Sequence, residues 1–377
     1  MGRMLWLLLL CLGLVSASAL GRSDVQRVLT VPCKGTVGEQ ITAAGLADAF
    51  RRAGRQKVER VILEVDSPGG YVYEADALIA VLRDHSEAFD VVAVVDGEAL
   101  SAATVLLAGA DAWFVTAGSN VGAAVAFAED RSTGSVDVDA KFNGVWSSSL
   151  AGLADENGWS GDLFRAMVER GVTLYAGWAV DAETPVFSRT WPEGMDRVKR
   201  IDTEDTVLAL NAGELVDLGL ARVLDDTSLD GVAEAMDWGD VRTAGRYGVT
   251  SMTRAGRERE RITEAIGGLH EELEWHMQRG REHDPRVQRL YFDRDTMMLT
   301  PASQRLWAQK ARESIGHWTA AERVLGQMAK LDQRAERAGA LHLRVDRESA
   351  DGLFQVVSEN AAYLRANQRR THYQLDP

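Results

Sequence analysis

Cysteine is almost absent from this 377-residue sequence, which has only Cys11 and Cys33. Cys11 lies in an apolar N-terminal segment that we predict to be removed, so the mature chain keeps one cysteine. A single cysteine excludes an intramolecular disulfide, and we expect Cys33 to be a buried thiol in a strand. The fold must then depend on an apolar core, which a hydrophobic content of 46% can supply.

Long apolar runs are missing after the N-terminus, so the sequence predicts no later transmembrane helix. The N-terminus itself has the order of an export signal: Arg3, an apolar run over residues 5–15, and the small residues Ala17-Ser18-Ala19. We interpret residues 1–19 as a signal peptide and predict an exported protein, periplasmic or extracellular. The alternative is a segment that stays uncleaved and holds the protein at the membrane.

Basic residues are scarce in the front two thirds of the chain. Residues 1–251 have 21 Lys and Arg against 37 Asp and Glu, a formal net charge of −16, whereas residues 252–377 have 21 against 19. An acidic domain is a poor nucleic-acid binder, so no nucleic-acid partner is predicted. The change in composition predicts a domain boundary near residue 245.

Strand and helix patterns alternate between residues 27 and 237. Residues 58–65 and 91–95 are apolar on both faces, as in the strands of a parallel sheet that is covered on both sides. Residues 38–53 and 73–83 have helical spacing of apolar residues. This alternation predicts a largely parallel α/β fold. Further predictions are strands at 25–31, 112–115, 121–127, 185–190 and 198–208, and helices at 101–108, 140–154, 162–169 and 211–218.

The last third of the chain has a different pattern. Residues 252–282, 301–338 and 346–369 are long, mixed in charge and nearly free of proline, which predicts three helices. We assign residues 250–377 to a separate helical domain that forms a small bundle or an oligomerisation arm. A ligand-binding role for its aromatic residues is the less favoured interpretation.

Two strand-to-turn segments, about thirty residues apart, are the most informative part of the sequence. The strand at 61–65 leads into Gly69-Gly70, and the strand at 91–95 leads to Ser101 at the start of a predicted helix. Neighbouring parallel strands end at the same edge of a sheet, so these turns can bring backbone N–H groups and a hydroxyl together. Acyl-transfer chemistry requires that combination, which favours a serine hydrolase.

The general base is the next requirement. Only one of the seven histidines, His85, falls in the α/β part, at the far end of the helix after the Gly-Gly turn, so a Ser-His-Asp triad is disfavoured. Lysine can replace histidine if burial lowers its pKa from ~10.4. The lysines of the α/β part are Lys34, Lys57, Lys141 and Lys199. Lys141 begins a helix among apolar and small residues. Taken alone, a single lysine on a helix is more often a solvated surface charge.

Several motifs together resemble the ClpP/crotonase superfamily, and most closely its NfeD-like serine peptidases, which are related to signal peptide peptidase A. The resemblance spans residues 25–237. It implies a spiral of ββα units, followed in this chain by an α-helical C-terminal region. The motifs are Asp66-Ser-Pro-Gly-Gly70, Ala99-Leu-Ser-Ala-Ala103, Gly118-Ser-Asn-Val-Gly-Ala-Ala124, Lys141-Phe-Asn143 and Leu208-Ala-Leu-Asn-Ala-Gly-Glu-Leu-Val-Asp-Leu-Gly-Leu-Ala221.

The resemblance implies a role for particular residues. The nucleophile falls on Ser101, the lysine base on Lys141, and the oxyanion hole on the amides of Gly70 and Ala102. For substrate binding we expect an extended peptide to pair as a β-strand beside the residues that follow the turn and beside the Gly-Ala-Ala strand. The residues expected to contact it are Gly69, Tyr71, Val72, Val121 and Gly122.

The sequence departs from the family in three places. Ala103 replaces a frequent glycine, and Val125-Ala126 replaces a common His-Pro. Neither change removes a catalytic atom. Charged helices also stand where full-length NfeD-like proteins have membrane spans and a small β-barrel, which puts a membrane-protein substrate or partner in doubt.

The interpretation that these features favour is an exported serine endopeptidase, using a Ser-Lys dyad on extended apolar segments and forming homo-oligomers. It needs no cofactor and no metal. One alternative is an inactive ClpP-like scaffold whose C-terminal helices bind a partner protein. Another is a crotonase-type acyl-CoA enzyme, which export and the serine at the turn disfavour.

Overall fold

A computed structural model describes residues 25–85, 87–125, 136–339 and 347–370, and of residues 136–142 and 347–348 it describes the backbone only. The predicted signal peptide, residues 1–19, lies outside the described residues. The chain divides into two compact units. We call the described residues up to Gly256 the sheet unit and those from Arg257 onward the helical unit.

Strands and helices alternate through the sheet unit. The described strands are β1 (Gln26–Lys34), β2 (Arg60–Ser67), β3 (Asp90–Leu100), β4 (Ala112–Val115), β5 (Asn120–Gly122), β6 (Leu174–Trp178), β7 (Val186–Ser188), β8 (Arg197–Asp202), β9 (Ala209–Asn211), β10 (Arg222–Val223) and β11 (Val241–Thr243). The described helices of this part are α1 (Ala43–Arg55), α2 (Val72–His85), α3 (Thr104–Ala108), α4 (Val136–Glu156), α5 (Gly161–Val168), α6 (Ala212–Asp217) and α7 (Leu229–Ala235).

The main sheet is parallel along the order β10-β4-β3-β2-β1-β11. Its longest strand, β3, has two successive neighbours on one side, because Val92–Val95 pair with β4 and Glu98–Leu100 pair with β5. β9 adds an antiparallel strand to the other side of β5. The order β1, α1, β2, α2, β3, α3, β4 confirms the predicted α/β class.

Apolar side chains cover both faces of this sheet, as the continuous apolar strands predict. In β2, Val61 and Leu63 belong to the large core, while Ile62 faces a second core that includes Trp238. Cys33 is a free, fully buried thiol, which confirms its predicted place in a strand. Burial raises the pKa of this thiol to about 12, with a smaller contribution from Glu64, so Cys33 stays protonated and unreactive.

Several predicted elements differ from the structure. The strand predicted over 121–127 covers only Asn120–Gly122 in the described residues. The helix predicted from residue 38 begins only at Ala43, because the Thr42 side chain accepts the Gly45 N–H at 3.0 Å and caps the helix there. The strand predicted over 198–208 is two strands, β8 and β9. The polar run between them forms a turn in which Thr206 donates to Asp202 at 2.8 Å. β8 pairs with β6 in a separate antiparallel sheet of order β7-β6-β8, and β6 was not predicted.

The C-terminal part of the chain is helical, as predicted. α8 (Tyr247–Glu282) begins in the sheet unit and continues into the helical unit, which also has α9 (Pro301–Arg337) and α10 (Arg347–Ala366). The helical unit has an apolar core of its own, with Leu273, Trp318, Leu325, Val357 and Leu364. Among the described residues, no helix is long and apolar enough to cross a membrane.

Candidate active site

Two backbone hydrogen bonds with Val37 hold one side of the Gly-Gly turn at the end of β2. Val37 donates its N–H to Gly69 O at 2.7 Å and accepts the Tyr71 N–H at 2.9 Å. These bonds leave the Gly70 amide pointing away from Val37, and it donates to no backbone acceptor among the described residues. A Cβ at Gly70 would overlap the Val37 backbone, so this position requires glycine. The turn thus presents the Gly70 N–H in a fixed direction, available to an acceptor on a bound ligand.

Ser67 stabilises the same turn from within. Its buried Oγ accepts the Gly69 N–H at 3.1 Å. The Ser67 hydroxyl thus occupies the Gly69 amide, so of the two glycine amides only the one from Gly70 stays open. Sequence reasoning did not single out Ser67, although a serine just before a Pro-Gly-Gly turn is a signal for such a bond.

Ser101 lies where β3 ends, at the first residue of a 3₁₀ turn (Ser101–Ala103) that leads into α3. Its φ is +52°, a conformation that non-glycine residues rarely adopt. The carbonyl of Ser101 accepts a hydrogen bond from Thr104 Oγ1 at 2.8 Å, and the Thr104 side chain is fully buried. The first amides of a helical turn have no acceptor within the helix, which leaves the Ala102 N–H available.

The two turns are in contact. A Cβ built on Gly69 would lie 2.7 Å from Leu100 O and 3.0 Å from Ala102 N, and it would overlap Ser101 Cβ. The structure therefore brings Gly69, Ser101 and Ala102 together at the carboxyl ends of β2 and β3. The serine turn and the Gly-Gly turn are therefore packed against each other, which is the placement that an oxyanion hole built from both turns requires.

Lys141 lies on α4, and its side chain is outside the described part of the structure. The position of α4 is fixed by a residue five places further on. The indole of Trp146 is buried and donates to Ala124 O at 2.8 Å, just after β5. β5 in turn pairs with the end of β3 next to Ser101. The helix that carries the predicted base is thus linked through β5 to the strand that carries the serine.

His85 is remote from this site, as its place in the sequence predicted. It ends the 14-residue helix α2, which begins at Val72, so about 20 Å of helix separates it from the Gly-Gly turn. Its ring packs against Phe50 and Phe89 with centroids 5.2 and 5.9 Å away. Burial lowers the pKa of His85 and favours the neutral ring.

The expected open strand edges are not found at most of the predicted positions. Val121 and Gly122 pair with β3 on one side and with β9 on the other, so β5 has no free edge. Val72 starts α2 and therefore offers no extended backbone, and Tyr71 uses its N–H on Val37. These four residues offer no free strand edge to a peptide, and their contact with a substrate stays a prediction. Gly70 keeps one open backbone side.

A buried carboxylate that sequence reasoning missed lies beside the turn. Glu74 is fully buried in the first turn of α2, and its Oε1 accepts the N–H of Ala43, the first residue of α1. A carboxylate at a helix N-terminus is stabilised by the helix dipole. The loop that enters α1 includes Val37, so Glu74 fixes the segment that clamps Gly70. An acidic residue within an apolar helix pattern was the available signal.

Comparison with known proteins agrees with the motifs in the sequence. Residues 27–183 match the family described as NfeD1b, N-terminal domain. This match confirms the resemblance to NfeD-like peptidases for that part of the chain. No curated protein matches the sequence.

Solved structures of proteases are similar at low identity. A lysine-to-alanine mutant of the membrane-bound stomatin-specific protease 1510-N, in complex with a substrate peptide, is 15% identical with a TM-score of 0.41, over 58% of this chain and 91% of that one. A serine-to-alanine mutant of the same protease is 15% identical with a TM-score of 0.40, over 59% and 99%. ClpP1 from Listeria monocytogenes is 12% identical with a TM-score of 0.35, over 52% and 91%.

Proposed function

We propose that this protein is a serine endopeptidase, with Ser101 as nucleophile and Lys141 as general base. The observation that carries the proposal is the contact between the Gly69-Gly70 turn and the strained Ser101 turn. This contact supports a site in which the Ser101 hydroxyl attacks while the Gly70 and Ala102 amides bind the developing oxyanion, as acyl transfer requires. The match of residues 27–183 to NfeD1b agrees with this reaction class.

In the proposed reaction, a neutral Lys141 amine takes the Ser101 Oγ proton as Oγ attacks the scissile carbonyl carbon. The negative charge moves to the carbonyl oxygen, which accepts N–H bonds from Gly70 and Ala102. Collapse of this intermediate breaks the C–N bond, and the lysine returns the proton to the leaving amine. Water then hydrolyses the acyl-enzyme by the same steps.

The test is labelling of the serine with a fluorophosphonate across a pH series, together with peptide cleavage, because Ser-Lys enzymes can resist such reagents. Ser101→Ala should abolish both signals. Lys141→Ala should lower both by at least about 10²-fold, as expected on loss of a general base. Wild-type labelling should rise with pH through a value below ~10.4. Lys199→Ala, which changes an exposed lysine on β8, is the matched control.

The results also separate the alternatives. If the wild type cleaves no peptide, and Ser101→Ala and Lys141→Ala leave the cellular role intact, the protein is an inactive scaffold. Binding of a CoA thioester by the wild type would favour the alternative of a crotonase-type acyl-CoA enzyme. Cleavage that persists in Ser101→Ala would exclude the proposed nucleophile.

For substrate recognition we propose an extended peptide that pairs with the open side of Gly70. The supporting observation is that Val37 occupies only one side of this residue. Inactive Ser101→Ala protein should bind an apolar peptide. N-methylation of the one peptide amide that faces Gly70 should weaken that binding, whereas methylation of its neighbour should not. Equal effects of the two methylations would reject the pairing.

Export and self-association complete the proposal. The order of charge, apolar run and small residues at the N-terminus supports export, with cleavage after Ala19. Mass spectrometry of the secreted chain should then find Leu20 as its first residue. Sedimentation of that chain at two concentrations tests the proposed homo-oligomer, which a monomer at both would exclude.

A further inference from the structure

A cavity of about 640 Å³ lies at the end of the main sheet opposite to Ser101. The starts of β1, β2 and β11 line it, whereas the candidate active site lies where β2 and β3 end. None of its lining residues belongs to the proposed catalytic machinery. This cavity can therefore be tested without changing the candidate active site.

Four basic side chains line this cavity: Arg27, Lys57, Arg60 and Arg242. The carboxylates in the lining are Glu59 and Asp240, so basic side chains outnumber acidic ones in the lining although the unit as a whole is acidic. Among the described residues, Arg27, Lys57 and Arg242 form no ion pair within 4.0 Å, so three cations of the cavity lack an ion-pair partner in this part of the chain.

Two of these cations are direct neighbours. β1 and β11 pair in parallel with Arg27 opposite Arg242, so the two side chains leave the sheet side by side. Like charges in register on adjacent strands destabilise a sheet. An anion held between the two guanidinium groups would remove that repulsion, and two Arg side chains match the oxygens of a phosphate group well.

Arg60 lines the same cavity from the other face of the sheet, because it pairs with Val28, the residue after Arg27. Its guanidinium lies 4.9 Å from the ring centroid of Trp238 and donates to Trp238 O at 3.4 Å. Asp90 Oδ2 is 3.7 Å from Arg60 Nε. Arg60 therefore has partners of its own, and the basic side chains without an ion pair are on the side of Arg27 and Arg242.

We propose that this cavity binds a phosphate group, with Arg27 and Arg242 as its main contacts and Lys57 as a further charge. The group can come from a soluble phosphate ester or from a phospholipid headgroup.

The test compares the wild-type chain with Arg27→Gln/Arg242→Gln and with Lys199→Gln/Arg200→Gln. The control pair removes the same charge from β8, away from the cavity. Titration with inorganic phosphate and with glycerol phosphate at constant ionic strength measures the binding of soluble phosphate. Co-sedimentation with phosphatidylcholine vesicles, with and without phosphatidylglycerol, measures binding to a lipid headgroup.

We expect the cavity variant to bind phosphate about tenfold more weakly than the wild type, and the control to bind like the wild type. A wild-type preference for phosphatidylglycerol that only the cavity variant loses assigns the group to a lipid. Soluble binding without that preference assigns it to a phosphate ester. If the cavity variant and the control behave alike in both the phosphate titration and the vesicle co-sedimentation, the proposal is wrong.

The melting temperature tests separately whether the cavity variant folds. Since the substitution removes a like-charge pair, its melting temperature without anion should equal or exceed that of the wild type. Phosphate should then raise the melting temperature of the wild type only. The single variant Arg242→Gln provides the same comparison if the double variant expresses poorly. A wild-type melting temperature that phosphate leaves unchanged would contradict the site.

Discussion

Ser101 holds a backbone conformation that costs free energy, and its neighbours keep it there. Its φ of +52° lies in the left-handed region, which an L-residue with a side chain occupies at some cost. Gly69 packs directly against it, and Thr104 bonds its carbonyl. Such strain is typical of functional sites, and it agrees with the proposed role of Ser101 as nucleophile.

Gly69→Ala should destabilise the protein by about 1–3 kcal/mol, because the added methyl group would overlap the Ser101 turn and Gly69 has a φ of +101°. Fluorophosphonate labelling of Ser101 should fall as well. Urea denaturation measures the first effect. Gly54→Ala is the control: it lies in α1 with no atom within 4 Å of the added Cβ, so it should be neutral or slightly stabilising. Equal stability of the two variants would contradict the contact.

Glu74→Ala should lower stability by about 1–3 kcal/mol, because it leaves the buried Ala43 N–H without its carboxylate acceptor. In peptide cleavage, kcat should fall by a larger factor than KM changes, because the loop that holds the Gly70 turn loses its hydrogen bond to Glu74. Glu74→Gln keeps a carbonyl acceptor in the same place and should stay near the wild type in both respects. A wild-type kcat in Glu74→Ala would show that this carboxylate does not position the turn.

At the scale of elements, β5 joins the parts of the site. It pairs with the end of β3 on one side and with β9 on the other, and Ala124 just after it accepts the Trp146 indole of α4. The strand therefore serves as an internal connection between the serine turn and the lysine helix. An open substrate edge was expected there, and the antiparallel pairing with β9 replaces it.

Trp146→Phe should remove about 1 kcal/mol of stability, the usual contribution of one hydrogen bond, while it keeps an aromatic ring in the core. Activity should fall further than stability alone explains, because α4 carries Lys141. Trp159→Phe is the matched control, since its indole donates to Ala110 O at 2.6 Å, on a different segment. The comparison of kcat at equal folded fraction is the measurement. Equal kcat in both variants would exclude a positioning role for Trp146.

At the scale of the whole molecule, the two units respond to acid through different groups. In the helical unit, His276 and His317 approach to 3.2 Å between their Nδ1 atoms, and His283 stacks on His317. Burial lowers the pKa of His317, and His276, His283 and Arg279 lower it further, against the opposite effect of Glu313. A second proton on this pair would break the bond between the rings.

The sheet unit has His85, whose pKa is also lowered by burial, and in addition a carboxylate that titrates at lower pH. Burial raises the pKa of Asp48, but hydrogen bonds from Ser251 and Arg51 and the charges of Arg52 and Arg254 outweigh it, so this pKa lies below its ordinary value of 3.8. The contribution of Asp48 to stability is therefore complete above pH 3.8 and is lost only as the pH falls through the lower folded value.

The helical unit should consequently lose stability between pH 7.5 and 5 through His317, as the sheet unit should through His85, whose pKa is lowered too. A His pKa that is lower in the folded state than its ordinary 6.5 means that the unfolded chain binds more protons below that pH, so stability falls as pH drops from 6.5. Calorimetry at about pH 7.5 and 5 should show a shift in the transition of the helical unit. His317→Asn should reduce the shift, and His270→Asn, elsewhere on α8, should keep it. An equal shift in both variants would reject the cluster as its source.

The sequence by itself determined most of the elements of the main sheet and the meeting of the two turns. Continuous apolar strands followed by Gly-Gly and by a serine predict parallel neighbours whose carboxyl ends share an edge, and the structure has β2 and β3 side by side. This inference needs only local patterns and the geometry of a parallel sheet. The NfeD-like resemblance was confirmed for residues 27–183.

Only the tertiary structure decided which backbone groups stay open. The pairing of Val121 with Leu210, the clamp of Val37 on Gly70 and the reach of Glu74 to Ala43 join residues far apart in the chain. Local propensity carries no information on such pairings, because each depends on where another segment returns to the sheet. The same reason applies to Arg27 and Arg242, which become neighbours only when β11 pairs with β1.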